Sequence, residues 1–281
     1  KPQIITNGTF RALSIACVLI LAFFTCVYGF INAKNIKHVS YTSHMKGNSI
    51  SDLNMVMISD LHLGAVCSED RLEKIVEEIN SKAPDVVCIA GDFFDTAFKS
   101  IRNPEKAINT LKELKSTYGV YACLGNHDGG ETYGEMVDFL WEAGITLLND
   151  EYKVIDSRLV LIGRRDSHPI GGYDGETRKP LEDILPEESA TLLTVVMDHN
   201  PKHVETYGNE VDLVLCGHTH KGQLFPANII TNSLFVVDYG YYKKDANSPE
   251  VIVSSGVGYW GMPMRVGSSC EIVSISFSEK N

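Results

Sequence analysis

The chain has no surplus of basic residues to offer a polyanion. Lys and Arg number 25 against 36 Asp and Glu, a net charge of -11. That balance argues against a nucleic-acid-binding surface, which needs a basic stripe along the phosphates. There is also no CxxC pair and no framework spacing among the seven cysteines, at positions 17, 26, 67, 88, 123, 216 and 270. Neither a disulfide scaffold nor a thiolate metal cluster fits such a pattern. Cys88, Cys123 and Cys216 sit inside apolar runs, where cysteine acts as a small hydrophobe, so free thiols are expected. No repeat with a period of about 20–50 residues is present, which excludes a solenoid, and no low-complexity tract occurs.

One stretch lacks charge altogether. Residues 12–31 (ALSIACVLILAFFTCVYGFI) form a run of 20 uncharged positions between Arg11 and Lys34. At about 1.5 Å per residue a helix of that length spans about 30 Å, the hydrocarbon thickness of a bilayer. The run exceeds the ~7–15 residues of a signal-peptide core, and no small-x-small cleavage site follows it. A retained transmembrane anchor is therefore expected. It would hold the chain in the cell membrane by this span, or by more if others precede Lys1. Basic residues flank it almost evenly, with Lys1 and Arg11 before and Lys34, Lys37 and Lys46 after, and so assign neither face. The expected organisation is an N-terminal flank at 1–11, the anchor at 12–31, a polar linker at 32–54 and one globular domain at 55–281.

Inside that domain, short apolar runs end repeatedly in chemistry. Met55-Val56-Met57-Ile58 reads as a strand buried on both faces. It runs into Asp60-Leu61-His62, and a period of two puts the carboxylate and the imidazole on one face. Val86–Ala90 runs into Gly91-Asp92, and Val120–Leu124 into Gly125-Asn126-His127-Asp128. Leu192–Met197 leads to Asp198-His199, and Val211–Cys216 to Gly217-His218-Thr219-His220. Between the early strands, apolar residues recur at helical spacing, as in Leu72, Ile75, Val76 and Ile79. This is α/β alternation with polar residues at the carboxyl ends of strands, where open α/β sheets place their sites. Short strands at 145–148, 152–155, 159–163, 251–254 and 272–277 supply a second sheet, so two facing sheets with helices outside are expected.

A lone histidine is ordinarily structural and a lone surface aspartate solvated. Five strands each delivering Asp, Asn or His to one edge are better explained by divalent cations. Oxygen and imidazole donors without a thiolate suit Mn, Fe or Zn. A carboxylate shared by two ions ~3.5–4 Å apart is a known device for activating water against phosphorus.

Taken in order, Asp60-Leu61-His62, Gly91-Asp92, Gly125-Asn126-His127-Asp128, His199 and Gly217-His218-Thr219-His220 resemble the five blocks of calcineurin-like metallophosphoesterases. The resemblance covers residues 55–277. The SDLHLG form of the first block, the GHTHxGQxxP form of the last and GVGYWGMPMR (Gly256 to Arg265) are similar to the membrane-anchored branch. That branch includes cell-envelope phosphodiesterases and UDP-2,3-diacylglucosamine pyrophosphatase-like proteins. The resemblance implies an αββα four-layer sandwich holding two divalent metal ions. Asp60, His62, Asp92 and His220 would hold one ion, and Asp92, Asn126, His199 and His218 the other, with Asp92 bridging. It further implies that His127 contacts the phosphoryl oxygen or protonates the leaving group, with Asp128 placed to orient its ring. Asp95 and Asp198 fall outside the pattern.

The branch usually reads Gly where this chain has Lys221, which becomes a candidate substrate contact. Arg265 is another, following the apolar run Tyr259–Met264. Arg164, Arg165, Arg178 and Lys179 bracket a loop containing Gly171, Gly172 and Gly175. Such a segment is either a mobile basic lid over a phosphate or a solvated irregular loop. The implied activity is hydrolysis of a phosphodiester or diphosphate, with a lipid-linked substrate such as a UDP-diacyl sugar. The alternatives are a phosphomonoesterase acting on nucleotides or phosphoproteins, and an inactive metal-stabilised binding domain.

Overall fold

A computed structural model describes residues 8–45, 52–95 and 97–279. Residues 1–7 of the expected flank and 46–51 of the expected linker lie outside the described residues. Helix α1 (Gly8–Lys34) leaves almost all its side chains uncovered, and by length and composition it could cross a membrane. Its last turns are the exception, with Gly29 and Ala33 buried against the domain. After Asn35 the chain enters β1 (Ile36–Met45) directly.

That strand corrects the expectation of a polar linker. β1 pairs in parallel with β12 (Cys270–Glu279), from Ile36 opposite Cys270 to Met45 opposite Glu279. It lies at the edge of its sheet, so its alternation carries few apolar residues and does not stand out in the sequence. The same sheet continues through β2 (Asn54–Ile58), β3 (Val86–Ala90), β4 (Val120–Cys123) and β5 (Thr146–Leu147), in the order β1-β12-β2-β3-β4-β5. From β2 to β5 the neighbours run parallel.

Three helices cover the outer face of this sheet: α2 (Glu69–Asn80), α3 (Pro104–Leu111) and α4 (Tyr133–Glu142). α2 forms where the sequence shows helical periodicity, and Leu72, Ile75, Val76 and Ile79 are the apolar residues it buries. α3 starts with proline at its first position and with Asn103 accepting from the Lys106 amide, which satisfies one orphan donor.

The second sheet has the order β10-β11-β9-β8-β7-β6, without the expected strands at 145–148 and 272–277, which pair instead with β4 and β2 in the first sheet. Its members are β6 (Glu151–Ile155), β7 (Leu159–Gly163), β8 (Leu193–Met197), β9 (Leu213–Cys216), β10 (Gly240–Tyr242) and β11 (Glu250–Val253). The sheets meet face to face: Met55, Met57, Cys88 and Ala90 pack against Leu161, Val195, Met197, Leu213 and Leu215. Burying a side chain of this size contributes about 1.5–3 kcal/mol, and strands covered on both faces explain the unbroken apolar runs. The four-layer sandwich is thus realised. Its fourth layer is thin, built from 3-10 turns at Leu181–Asp183, Glu187–Ala190 and Pro201–Thr206 that bring Ile184, Val204 and Tyr207 onto β7–β9. The parallel runs β2-β3-β4 and β7-β8-β9 bring the carboxyl ends of β2, β3, β4, β8 and β9 to one edge.

Candidate metal centre

Polar side chains follow all five strands, and β2, β3 and β9 end in sharp turns that aim them across the edge. Asp60 (φ 52), His62 (φ 49), Asp92 (φ 51), His218 (φ 72) and His220 (φ 50) all take the left-handed backbone region. For non-glycine residues that conformation costs of order 1 kcal/mol each, and it persists where the surroundings enforce it, as at functional sites. Two glycines permit the crowding. A Cβ at Gly91 would lie 2.6 Å from the His199 ring, and one at Gly125 would overlap the Asp92 carboxylate.

The donors fall into two groups, Asp60 with His62 and His220, and Asp92 with His199 and His218; within each, the ligand atoms lie within 4.8 Å of one another. In the first, Nε2 of His62 is 3.1 Å from Nε2 of His220, which is 3.4 Å from Oδ1 of Asp60. In the second, Nε2 of His199 is 3.1 Å from Oδ2 of Asp92, and Nδ1 of His218 is 2.8 Å from Oδ1 of Asn126. Oδ2 of Asp92 is also 3.7 Å from Nε2 of His62, so one oxygen faces both groups. The other oxygen of Asp92 accepts from the His127 amide at 2.8 Å.

Hydrogen bonding alone does not account for these atoms. His199 donates from Nδ1 to the carbonyl of Ala90 at 2.8 Å, which directs its other nitrogen at Asp92. That Nε2 is buried without a hydrogen-bond partner among the described residues, and so is Nδ1 of His62. Buried polar atoms left this way are costly unless something else engages them. Imidazoles and carboxylates that converge with lone pairs facing one another make a donor set suited to divalent cations.

Burial and the neighbouring charges split the protonation of the donors. Burial, reinforced by the Arg265 guanidinium and by His62, holds the His220 pKa well below the ordinary histidine value, so its ring is neutral as a ligand must be. Burial and the neighbouring His199 lower that of His218. Burial pulls His199 down too, but the Asp92 and Asp60 carboxylates outweigh it and hold its pKa well above the usual value. The Asp92 carboxyl is held far below the usual range by His199, His62 and His127, against the opposing pull of burial.

A cavity of about 320 Å³ opens over the two groups. His62, Asp92, Asn126, His127, His218 and His220 form its polar floor, while Ala227, Ile230 and Trp260 form an apolar wall. His127 donates from Nδ1 to the carbonyl of Asp95 at 2.6 Å, leaving Nε2 without a hydrogen bond among the described residues.

The expected supporting residues lie elsewhere. Asp128 does not orient the His127 ring: its oxygens accept from the amides of Phe94 and Gly125, so it braces the turn beneath the site. Burial, then the nearby Asp92 charge, pushes its carboxyl up to about 7. Among the described residues the cavity lining includes neither Lys221, Arg265, Arg164 nor Arg165. The Lys221 ammonium sits over the Tyr239 ring, 4.0 Å from its centroid. Arg265 is wholly buried beneath His220, donating from Nη1 to the His220 carbonyl at 3.0 Å and from Nη2 to that of Gly258 at 2.6 Å.

Residues 164–179 form an irregular loop, exposed at 170–171 and 174–177 but pinned through its arginines and Tyr173, so Arg164 and Arg165 are not the free phosphate contacts of the expected lid. Arg164 and Arg165 are buried; Arg164 pairs with Asp150 and Arg165 with Glu176 and Asn149. Arg178 forks onto both oxygens of Asp198 at 2.8 and 2.7 Å. Tyr173 donates to the carbonyl of Gly125 and the Ile170 amide to that of Asn126, so the segment holds the third motif turn in place.

Two features escaped the sequence reading. Asp95, outside the motif pattern, touches two site histidines: its carbonyl receives His127, and its Oδ1 lies 3.6 Å from Nδ1 of His62. The apolar wall is carried partly by α5 (Ala227–Leu234), a short uncharged helix just after the last motif. Eight residues with no alternation of buried and exposed positions give no periodic signal.

Residues 53–222 match the Calcineurin-like phosphoesterase family. An uncharacterized metallophosphoesterase of Helicobacter pylori is 32% identical over 82% of this chain and 61% of its own length. Another, from Aquifex aeolicus, is 34% identical over 84% of this chain and 87% of its own. A Danio rerio protein named transmembrane protein with metallophosphoesterase domain is 31% identical over 97% of this chain and 64% of its own. This chain thus spans about three fifths of the length of the Helicobacter relative. With the motif blocks gathered at one sheet edge and the match running through them, the chain belongs to the calcineurin-like phosphoesterase family of metal-dependent hydrolases.

Proposed function

We propose that the chain is a membrane-anchored dimetal phosphoesterase that hydrolyses a phosphodiester or diphosphate whose other end is a lipid. The observation that carries the reading is Oδ2 of Asp92, which faces both donor groups from a single carboxylate. Asp60, His62, Asp92 and His220 would hold one ion and Asp92, Asn126, His199 and His218 the other. When bound, the ions activate water and neutralise charge on the phosphoryl oxygens. The protein's own part is positioning and proton transfer. With Nδ1 committed to the Asp95 carbonyl, Nε2 of His127 is the ring nitrogen placed to pass a proton to the departing oxygen. The pinned loop at 170–173 and the Asp128 carboxylate keep Asn126 and His127 at the required depth.

The lipid part rests on the apolar wall of the cavity and on α1. Ala227, Ile230 and Trp260 give an acyl chain or a sugar face something to lie against beside the polar floor. The length and composition of α1, and the transmembrane relative, support anchoring in the cell membrane. The test is hydrolysis by the full-length chain in Mn-containing vesicles, with three substrates side by side: a nucleotide-linked acyl lipid, a soluble bis-aryl phosphodiester and a soluble aryl monoester. Cleavage of the lipid and the soluble diester is expected. Preference for the monoester would favour the phosphomonoesterase, and no turnover of any substrate at full metal loading would leave a binding domain.

A further inference from the structure

The rim of the cavity exposes more apolar surface than an aqueous mouth calls for. Phe225, Ile229, Ile230, Leu234, Trp260 and Met262 are between 58% and 71% exposed, although all belong to two adjoining segments at one end of the sandwich. Contiguous apolar surface of this kind marks an interaction site. The helix within it, α5, carries no charge over its whole length (Ala-Asn-Ile-Ile-Thr-Asn-Ser-Leu). The chain's own connectivity points to lipid as its partner.

α1 is fastened to this rim rather than tethered near it. The Arg265 amide donates to the Gly29 carbonyl at 3.0 Å, and Asn32 donates from Nδ2 to the carbonyls of Arg265 and Ser268 at 3.0 and 2.8 Å. A Cβ on Gly29 would already press on Met264 and Val266 at 3.0 Å. On the other side of the same loop, the Val266 amide donates to the Gln223 carbonyl and the Phe225 amide to that of Val266. The side chain of Gln223 closes the bracket by accepting from the Trp260 amide at 2.9 Å and donating to the Trp260 carbonyl at 2.8 Å. Backbone bonds thus run without a gap from the last turns of α1, through 264–266, to Gln223–Phe225 and the start of α5.

The uncovered apolar surface of α1 ends at Ile31, with charged Lys34 three positions on. If α1 spans a bilayer, that turn marks the hydrocarbon boundary. The loop bonded to Gly29 and Asn32 then sits at interface depth, together with everything fixed to it. We infer that Phe225, α5 and the Trp260–Met262 loop form a second, monotopic contact with the membrane. It dips into the lipid interface and holds the cavity mouth against the leaflet. The inference rests on the anchoring reading and deepens it. Interfacial segments of this type bury their apolar side about 5–10 Å into the headgroup and acyl boundary, with Trp favoured at that level.

The experiment uses the full-length chain reconstituted in vesicles, with Trp141→Phe leaving Trp260 as the single reporter. Trp141 lies on α4 and is exposed, away from the rim. Flotation with the vesicles, resistant to carbonate, reads α1 insertion by itself. In the floated fraction, lipids brominated near the top of their acyl chains are expected to quench Trp260, and aqueous acrylamide is expected to reach it less than in detergent. Leu234→Glu and Ile229→Glu should remove the lipid quenching and lower turnover of vesicle-borne lipid, while the rate on a soluble diester stays at the parent value. Failure to float would overturn anchoring itself. Carbonate-resistant flotation with Trp260 unquenched by brominated lipid would overturn the interfacial contact while leaving the anchor intact. Trp260 shielded from both quenchers in a chain that runs as a dimer would assign the rim to a second copy and refute the inference.

Discussion

Replacing Arg265 with Met separates two roles for this residue, since the sequence suggests a substrate contact and the structure buries it. Met fills most of the space but cannot donate. The carbonyls of His220 and Gly258 then lose bonds of 3.0 and 2.6 Å to a charged donor. Hydrogen bonds to charged groups contribute roughly 1.5–3 kcal/mol each. Two of them give about 3–6 kcal/mol, and relief of a buried charge offsets part of that, so a loss near 3 kcal/mol is expected. At about 2–4 °C per kcal/mol for a domain of this size, Tm should fall by about 6–12 °C. His220 loses its platform as well, so metal content should drop, while KM for a soluble diester at saturating Mn stays within about twofold. Arg265→Lys should recover little, because an ammonium cannot span both carbonyls. The readouts are thermal unfolding in detergent, bound metal and steady-state kinetics. An unchanged Tm with KM raised tenfold or more would refute the reasoning and return Arg265 to the substrate.

His127→Ala should keep the metal content of the parent and lower turnover by roughly 10²–10⁴, the usual range for a general acid; metal lost in parallel with activity would show a ligand instead. Arg178→Ala leaves the buried Asp198 carboxylate with Tyr207 as its remaining side-chain partner. It should destabilise the fold by about 3–5 kcal/mol without a change in KM, whereas a mobile lid would show the reverse pattern.

What was legible in the sequence was whatever repeats with a period or a motif. β2, β3, β4, β8 and β9 announce themselves because strands buried on both faces are unbroken apolar runs, and each ends in the residue types that metal sites use. Edge and surface elements were not legible. β1 is half solvent-facing and reads as polar chain, and α5 has no buried side to set a period. Charge misled in a consistent way. Arg164, Arg165, Arg178 and Arg265 look like free cations in the sequence, but each is committed to a carboxylate or a carbonyl that only the fold brings near. The same holds for Asp128, whose place beside His127 in the chain suggested a partner that the turn geometry gives to backbone amides.

Two donor groups joined by Asp92 are the core of this account, and metal stoichiometry tests them most directly. Purified full-length chain, saturated with Mn and freed of excess by dialysis, should carry two ions by elemental analysis. Asp92→Asn should lose more than any other single ligand change, because one oxygen serves both groups. A parent chain that holds at most one ion at saturation, or an Asp92→Asn variant that still holds two, would contradict the account.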